Sequence, residues 1–219
     1  MRKVIAGVFL SLDGVMQAPG GPEEDPTRGF RHGGWTFHYW DDVMGQSMGE
    51  TFGGPFDLLI GRKTYEIFAA HWPHLENDPI ADTFNRVTKY VATTSHEPLT
   101  WKNSVALHDA AADVAKLKQQ DGPTLLIQGS SQLIQTLLRH DLIDELRLMV
   151  FPLVLGTGKR LFGDGTIPRA LKLVDSKPST TGVVISVYQR GGDVQTGSFA
   201  LAEPTQAELA RRERMKREG

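Results

Sequence analysis

The sequence contains no cysteine. That excludes a disulfide scaffold, thiolate metal sites and a cysteine nucleophile, and it fits a reducing cytoplasm. Long apolar runs are missing too, and no stretch approaches the ~18 residues of a membrane span. Neither sign of charge is in excess. The 24 basic and 26 acidic residues give a net charge of −2 and a pI near 6.4. Nucleic-acid binding therefore lacks its usual electrostatic drive. No HExxH or GxGxxG motif is present, no GxSxG stands at a strand-to-helix elbow, and Gly158-Lys159 is followed by Arg160, which fails the P-loop pattern. His71-x-x-His74 brackets Trp72-Pro73, which breaks the helix such a metal pair would need. No metal site is expected.

What is present is the composition of one globular domain. The chain has 219 residues, 40% of them hydrophobic and 23% charged. A chain of this mass should expose roughly 10,000 Å² and bury about 70% of its unfolded surface. The start, Met1 to Leu10, has the charges and apolar stretch of a short signal peptide. Ser11-Leu-Asp-Gly follows with no small-residue cleavage site, so the segment reads as a first strand over 3–10. Further short apolar runs predict strands at 57–61, 87–93, 104–107, 124–128 and 146–155, with a terminal hairpin or meander at 171–175 and 183–188. Helical spacing predicts helices over 40–52, from Thr64 to Ala70, over 79–86, after Asp109 and after Ser131. Strands alternating with helices argue for an α/β fold with a mainly parallel sheet.

Residues 17–38 form a long Gly/Pro-rich loop with several aromatics in or beside it: Phe30, Trp35, Phe37, Tyr39 and Trp40. Disordered segments are poor in aromatics, so the loop is expected to fold over something. Residues 191–219 are expected to be a charged, partly helical extension of a 1–190 domain. From Glu203 it holds five basic and four acidic residues in seventeen, with Glu208/Arg212 and Glu213/Arg217 at i,i+4. It reads as a solvated helix or as a partner-docking one.

Three predicted strands end in groups suited to phosphate. Leu58-Leu-Ile-Gly61 leads into Arg62-Lys63-Thr64, where a helix start offers backbone N–H groups and Arg62 offers a planar fork. Leu125-Leu-Ile-Gln128 leads into Gly129-Ser130-Ser131 and another helix. Tyr90-Val-Ala leads into the hydroxyls of Thr93, Thr94 and Ser95. Each alone is equally an ordinary strand-to-helix turn. Together they fit the rule that open α/β sheets bind ligands beyond their strand C-termini. Asp13, Asp41, Asp42 and Glu50 are the carboxylates near the expected mouth. Asp13 either relays a proton and orients substrate, or caps the turn after the first strand.

In their order and spacing these motifs resemble the dihydrofolate reductase-like superfamily. The closest branch is the group of stand-alone proteins similar to the reductase domain of the bifunctional riboflavin-biosynthesis deaminase/reductase. The residues that carry the resemblance are Ser11-Leu-Asp-Gly14, Pro19-Gly-Gly-Pro22, Gly33-Gly-Trp35, Leu59-Ile-Gly-Arg-Lys-Thr-Tyr65, Ile127-Gln-Gly-Ser130, Leu142-Ile-Asp-Glu-Leu146, Pro152-Leu-Val-Leu-Gly-Thr-Gly158 and Leu161-Phe162. The resemblance implies a three-layer fold: a mostly parallel eight-stranded sheet, helices on both faces and an antiparallel C-terminal strand. It implies NADPH as hydride donor, a small heterocyclic or imine-like substrate (by family label, a phosphoribosylamino-pyrimidine), and a homodimer.

By position it assigns Gly61, Arg62, Lys63 and Thr64 to the adenosine-side phosphates. Thr93, Thr94 and Ser95 go to the adenine ribose, and Gln128, Gly129, Ser130 and Ser131 to the pyrophosphate. Backbone groups of Ala6 and Gly7 go to the nicotinamide carboxamide, and Asp13 is the candidate catalytic residue. Arg62 beside Thr94 and Ser95 favours a 2′-phosphate, hence NADPH over NADH. The chain departs from its relatives at Ser95-His96, where they often carry arginine. It also lacks the H-x-E and PCxxC motifs of the partner deaminase. A non-catalytic nucleotide-binding module of the same fold is the alternative reading.

Overall fold

A computed structural model describes residues 1–163, 166–200 and 202–218. Among them, eight strands form one sheet in the order β4-β3-β2-β5-β1-β6-β8-β7. The strands are β1 (Val4–Ser11), β2 (Phe56–Gly61), β3 (Lys89–Ala92), β4 (Ser104–Leu107), β5 (Thr124–Gln128), β6 (Glu145–Phe151), β7 (Ala170–Pro178) and β8 (Val184–Gly192). From β4 through β6 every neighbouring pair is parallel. β8 then runs antiparallel to β6, and β7 antiparallel to β8.

The central strands are continuous apolar runs because both faces of the sheet are covered. Val4, Ala6, Val8 and Leu10 of β1 pack toward α4 (Ala110–Gln119) and α5 (Ser131–Arg139), meeting Val114, Leu117, Leu133, Ile134 and Leu137. The opposite face carries Ile5, Leu58, Ile60 and Leu126. These pack on Tyr65 of α2 (Arg62–Ala69) and Phe84 of α3 (Pro79–Arg86). α1 (Asp42–Phe52) buries Met44 against Met149, Phe151 and Ile185. This is the three-layer α/β fold the resemblance implies.

Several boundaries moved for physical reasons. α2 begins at Arg62 rather than Thr64, so Arg62, Lys63 and Thr64 form its first turn. The strand expected over 87–93 is Lys89–Ala92, because Val87 is the C-cap of α3. The strand expected over 146–155 stops at Phe151, because Pro152 brings no N–H to the ladder. The terminal hairpin is longer than expected. β7 is an edge strand with almost every residue exposed and a shifted register at two places, so its sequence lacks a buried stripe.

Residues 17–38 are ordered around two 3-10 turns, Thr27–Gly29 and Phe37–Tyr39. α6 (Gln206–Glu218) buries nothing. Arg211 and Arg212 both pair with Glu208 and pull its carboxyl down to about 2. Glu213 takes Lys216 at i+3 rather than Arg217 at i+4. The exposed area, 13053 Å², exceeds the ~10,000 Å² expected for this mass. The bare helix α6 and the uncovered edge β7 account for the direction of that excess.

Candidate functional site

The site begins where neighbouring strands part. β1 and β5 pair from Val4↔Leu125 to Gly7↔Gln128 and then separate, while β1 continues beside β6 to Ser11↔Phe151. β2 and β5 stop pairing at Leu58↔Leu126. A cleft of about 1240 Å³ opens from these strand ends. Gly7 keeps it open: a Cβ there would sit 2.6 Å from Gln128 Nε2.

Gly7, Gly61, Arg62, Lys63, Thr64, Thr93, Thr94, Ser95, Gln128, Gly129, Ser130 and Ser131 all line this one cleft. Ala6 does not. It is fully buried and pairs with Ile127 and Leu146 within the sheet.

The corner between β2, α2 and β5 is tied by two hydroxyls. Ser130 follows Gly129 into the left-handed region, with φ 64° and ψ 55°. Such a conformation costs a residue with a side chain roughly 1–2 kcal/mol. There its Oγ accepts from the Gly61 N–H at 2.9 Å and donates to Thr64 Oγ1 at 2.8 Å. Both hydroxyls thus brace the corner, and neither caps a helix. α2 and α5 consequently start with no side-chain cap. Their first-turn N–H groups face a cleft wall where the helix dipoles favour an anion.

Beyond β3, Thr93 Oγ1 accepts from the Ser95 N–H at 3.0 Å, and Ser95 Oγ accepts from the Glu97 N–H at 3.1 Å. Thr94 is exposed. Arg62 is already engaged. Its Nε donates to Glu66 at 2.6 Å, and its two terminal nitrogens reach the carboxylate and the backbone carbonyl of Glu97 at 3.2 and 3.1 Å.

The other half of the cleft is walled by the segment after β1. Gln17, buried, donates from Nε2 to the carbonyls of Asp25 and Thr27 and accepts from the Lys159 N–H. Thr36 Oγ1 donates to the Pro19 carbonyl. At Gly33 a Cβ would lie 2.4 Å from the Gly21 carbonyl oxygen, so only glycine allows the two stretches to touch. Phe37 and Trp40 face the cleft. Trp35 instead turns inward, packs edge-on against Phe151 at 5.1 Å and donates to the Gln17 carbonyl. Phe52, Phe68, Trp72 and Phe84, with Ile80, add a mainly aromatic flank.

Asp13 lies outside the cleft wall. It accepts from Ser11 Oγ at 2.6 Å and from the Leu155 and Gly156 N–H groups at 3.1 and 2.9 Å, and it pairs with Arg160 at 3.2 Å. Burial pushes its carboxyl up, but these hydrogen bonds outweigh it and hold the group below the usual carboxylate range. Its geometry is that of a pin between two loops. Asp41 caps α1 and accepts from Thr180, Glu50 pairs with Lys177, and Asp42 is exposed. None of these three borders the large cleft.

Four carboxylates do border it: Glu24, Asp25, Glu66 and Asp109. Asp25 pairs with Lys159, Glu66 pairs with Arg62, and Asp109 caps α4. Glu24 has no basic partner among the described residues. It accepts from the Gly20 N–H at 2.6 Å, and burial together with neighbouring Asp25 raises its pKa. Sequence reasoning missed Glu24. Listing the carboxylates of the long aromatic loop itself would have found it.

Comparisons with known proteins give the family and the fold. A model of the RibD C-terminal domain fits residues 2–185. The chain belongs to the RibD C-terminal domain family. The uncharacterized protein YyaP of Bacillus subtilis (strain 168) is 27% identical over 199 residues, 87% of this chain and 96% of its own. A crystal structure of a putative riboflavin biosynthesis protein from Shewanella sp. PV-4 superposes with a TM-score of 0.55 at 20% identity, over 86% of this chain and 98% of that one. Dihydrofolate reductase from Enterococcus faecalis, complexed with NADP(H) and RAB-propyl, superposes with a TM-score of 0.55 at 15% identity, over 86% and 96%. At these identities the likeness establishes the fold. This RibD C-terminal domain is therefore built as dihydrofolate reductase is. No helix among its described residues is long and apolar enough to cross a membrane.

Proposed function

We propose that the protein is an NADPH-dependent reductase acting on a small heterocyclic or imine-like substrate. One observation carries the reading. The sheet parts at Gly7/Gln128, and two uncapped helix starts stand on the wall of the cleft that opens there. From β4 to β1 the strand ends span about 19 Å at ordinary strand spacing. That gives an extended dinucleotide a continuous bed.

In this reading the first-turn N–H groups of α2 and α5 bind the phosphates. Arg62, Lys63, Thr94 and Ser95 hold the adenosine side, and the backbone at Gly7 orients the nicotinamide. Ala6 contributes only the sheet beneath it. Reduced nicotinamide, when bound, supplies the hydride. Phe37, Trp40 and the aromatic flank hold the acceptor carbon close and exclude water. Glu24 is the carboxyl suited to give a proton to the acceptor's nitrogen, because no cation holds it ionised. Asp13 is assigned to loop geometry rather than to proton transfer. A homodimer with the exposed β7 edge as its face, and a cytoplasmic location, belong to the same proposal.

The test is titration of the full chain with NADPH and NADH, followed by nicotinamide fluorescence and calorimetry. Saturable binding with NADPH preferred is the expected result, and binding of neither overturns the proposal. NADPH binding without oxidation across pteridines, pyrimidines and flavins would leave a nucleotide-binding module.

A further inference from the structure

We propose that Glu97 gates Arg62, and thereby sets how strongly the cleft distinguishes an adenosine ribose carrying a 2′-phosphate from one that does not. The inference rests on reading the cleft as a nicotinamide-dinucleotide site. A guanidinium recognises phosphate through a fork of two parallel N–H groups. In Arg62 that fork is taken. One terminal nitrogen meets the Glu97 carboxylate and the other the Glu97 backbone carbonyl, while Nε is held by Glu66. Three of the five donors are committed, and the committed pair includes both arms a phosphate would use.

The two acidic partners differ in kind. Glu66 lies one turn along the same helix and stays beside Arg62 whatever the loop does. Glu97 comes from the turn after β3, and its side chain is 76% exposed. Its backbone N–H is bonded to Ser95 Oγ, so the turn is fixed while the carboxylate is free to leave into water.

A doubly charged phosphate competes with a carboxylate for a guanidinium, but a ribose hydroxyl does not. The 2′-phosphate therefore competes with the Glu97 carboxylate for that terminal nitrogen, and an unphosphorylated ribose leaves the pair intact. The surroundings sharpen the contest. Arg62 and Lys63 are the cations at this end of the wall, against the carboxylates of Glu66 and Asp109 as well as Glu97. The rings of His96 and His108 stand 5.0 Å apart beside the same turn.

Calorimetric titration with 2′,5′-ADP, 5′-ADP, NADPH and NADH tests the gate in the full-length protein. The chains compared are wild type, Glu97→Gln, Arg62→Gln and the double variant. Glu97→Gln should tighten 2′,5′-ADP and NADPH by about two- to fivefold, the worth of one exposed ion pair. It should leave 5′-ADP and NADH unchanged. The gain should vanish in the Arg62→Gln background, because Glu97 acts through Arg62. Equal gains for phosphorylated and unphosphorylated ligands, no gain at all, or a gain that survives without Arg62 would each overturn the gate while leaving the dinucleotide site standing. Failure of every chain to bind either nicotinamide cofactor would overturn the dinucleotide reading, and the gate with it.

Discussion

The starts of α1 to α5 fall into two groups. α1, α3 and α4 are each capped by an aspartate. Asp41 accepts from the Met44 N–H, Asp78 from those of Ile80 and Ala81, and Asp109 from that of Ala112. α2 and α5 have no side-chain cap, and both stand at the parting of the strands. A missing cap leaves a helix about 1 kcal/mol less stable than it could be. The two helices that forgo that stability are the two whose free N–H groups face the cleft between β2 and β5. The contrast separates residues that hold the fold from residues that leave room for an anion. α4 marks the edge of the rule, since its start borders the cleft and is nevertheless filled by Asp109.

The sharpest way to break the contrast is to cap α2. Gly61→Asp introduces a Cβ in ordinary contact with Ser130, 3.6 Å from its Oγ, at a backbone angle any residue adopts. Its carboxylate would take the donors reserved for phosphate. Affinity for NADPH should fall more than tenfold, read by fluorescence titration, while thermal stability holds or rises slightly. The second prediction concerns Asp13. Asp13→Ala removes the acceptor of the Leu155 and Gly156 N–H groups and should cost about 0.5–1.5 kcal/mol in denaturant unfolding. NADPH affinity should stay within about twofold; a larger loss would return Asp13 to the site.

Removing an ordinary cap should do the reverse of Gly61→Asp. Asp78→Ala, outside the cleft lining, should cost about 1 kcal/mol in denaturant unfolding with unchanged cofactor affinity.

The last prediction extends the contrast to a helix end. Lys89 is fully buried. Its ammonium donates to the carbonyls of Phe84 and Asn85 in the last turn of α3 and lies 4.3 Å from the centre of the Trp101 ring. Burial lowers its pKa to about 8 from an ordinary 10.5. Between those values the unfolded chain binds a proton that the folded one does not. This lysine's contribution to stability should therefore rise with pH across that window. Unfolding of wild type and Lys89→Met, compared from pH 7.5 to 10.5, should show the slope only in the former.

The legible parts of the molecule were those written locally. β1 and β2 are short apolar runs that end in Ser11 and Gly61, β3 and β5 run directly into Thr93 and Gly129, and the Asp109 cap is readable from its own turn. β7 was harder, because an exposed edge strand carrying Lys172, Asp175 and Lys177 has no buried stripe to read. The residues assigned to a cofactor line one cleft, apart from buried Ala6, but their engagements were not legible. Arg62 meets Glu97 across 35 positions, Ser130 meets Gly61 across 69, and Asp13 meets Gly156 across 143. Such pairings come from the topology of the sheet, and local patterning carries no trace of them. Glu24 could be singled out from the loop's own carboxylates, but its isolation was not legible. Its isolation depends on Lys159 reaching Asp25 and Arg62 taking Glu66.

The most direct test of the central claim is amide NMR of the full chain during titration with NADPH. The account predicts the largest shifts at the backbone N–H groups of Lys63, Thr64, Ser131 and Gln132, with the first turns of α1 and α3 unmoved. Saturating NADPH that left the α2 and α5 amides unmoved, or that shifted the capped starts equally, would contradict it.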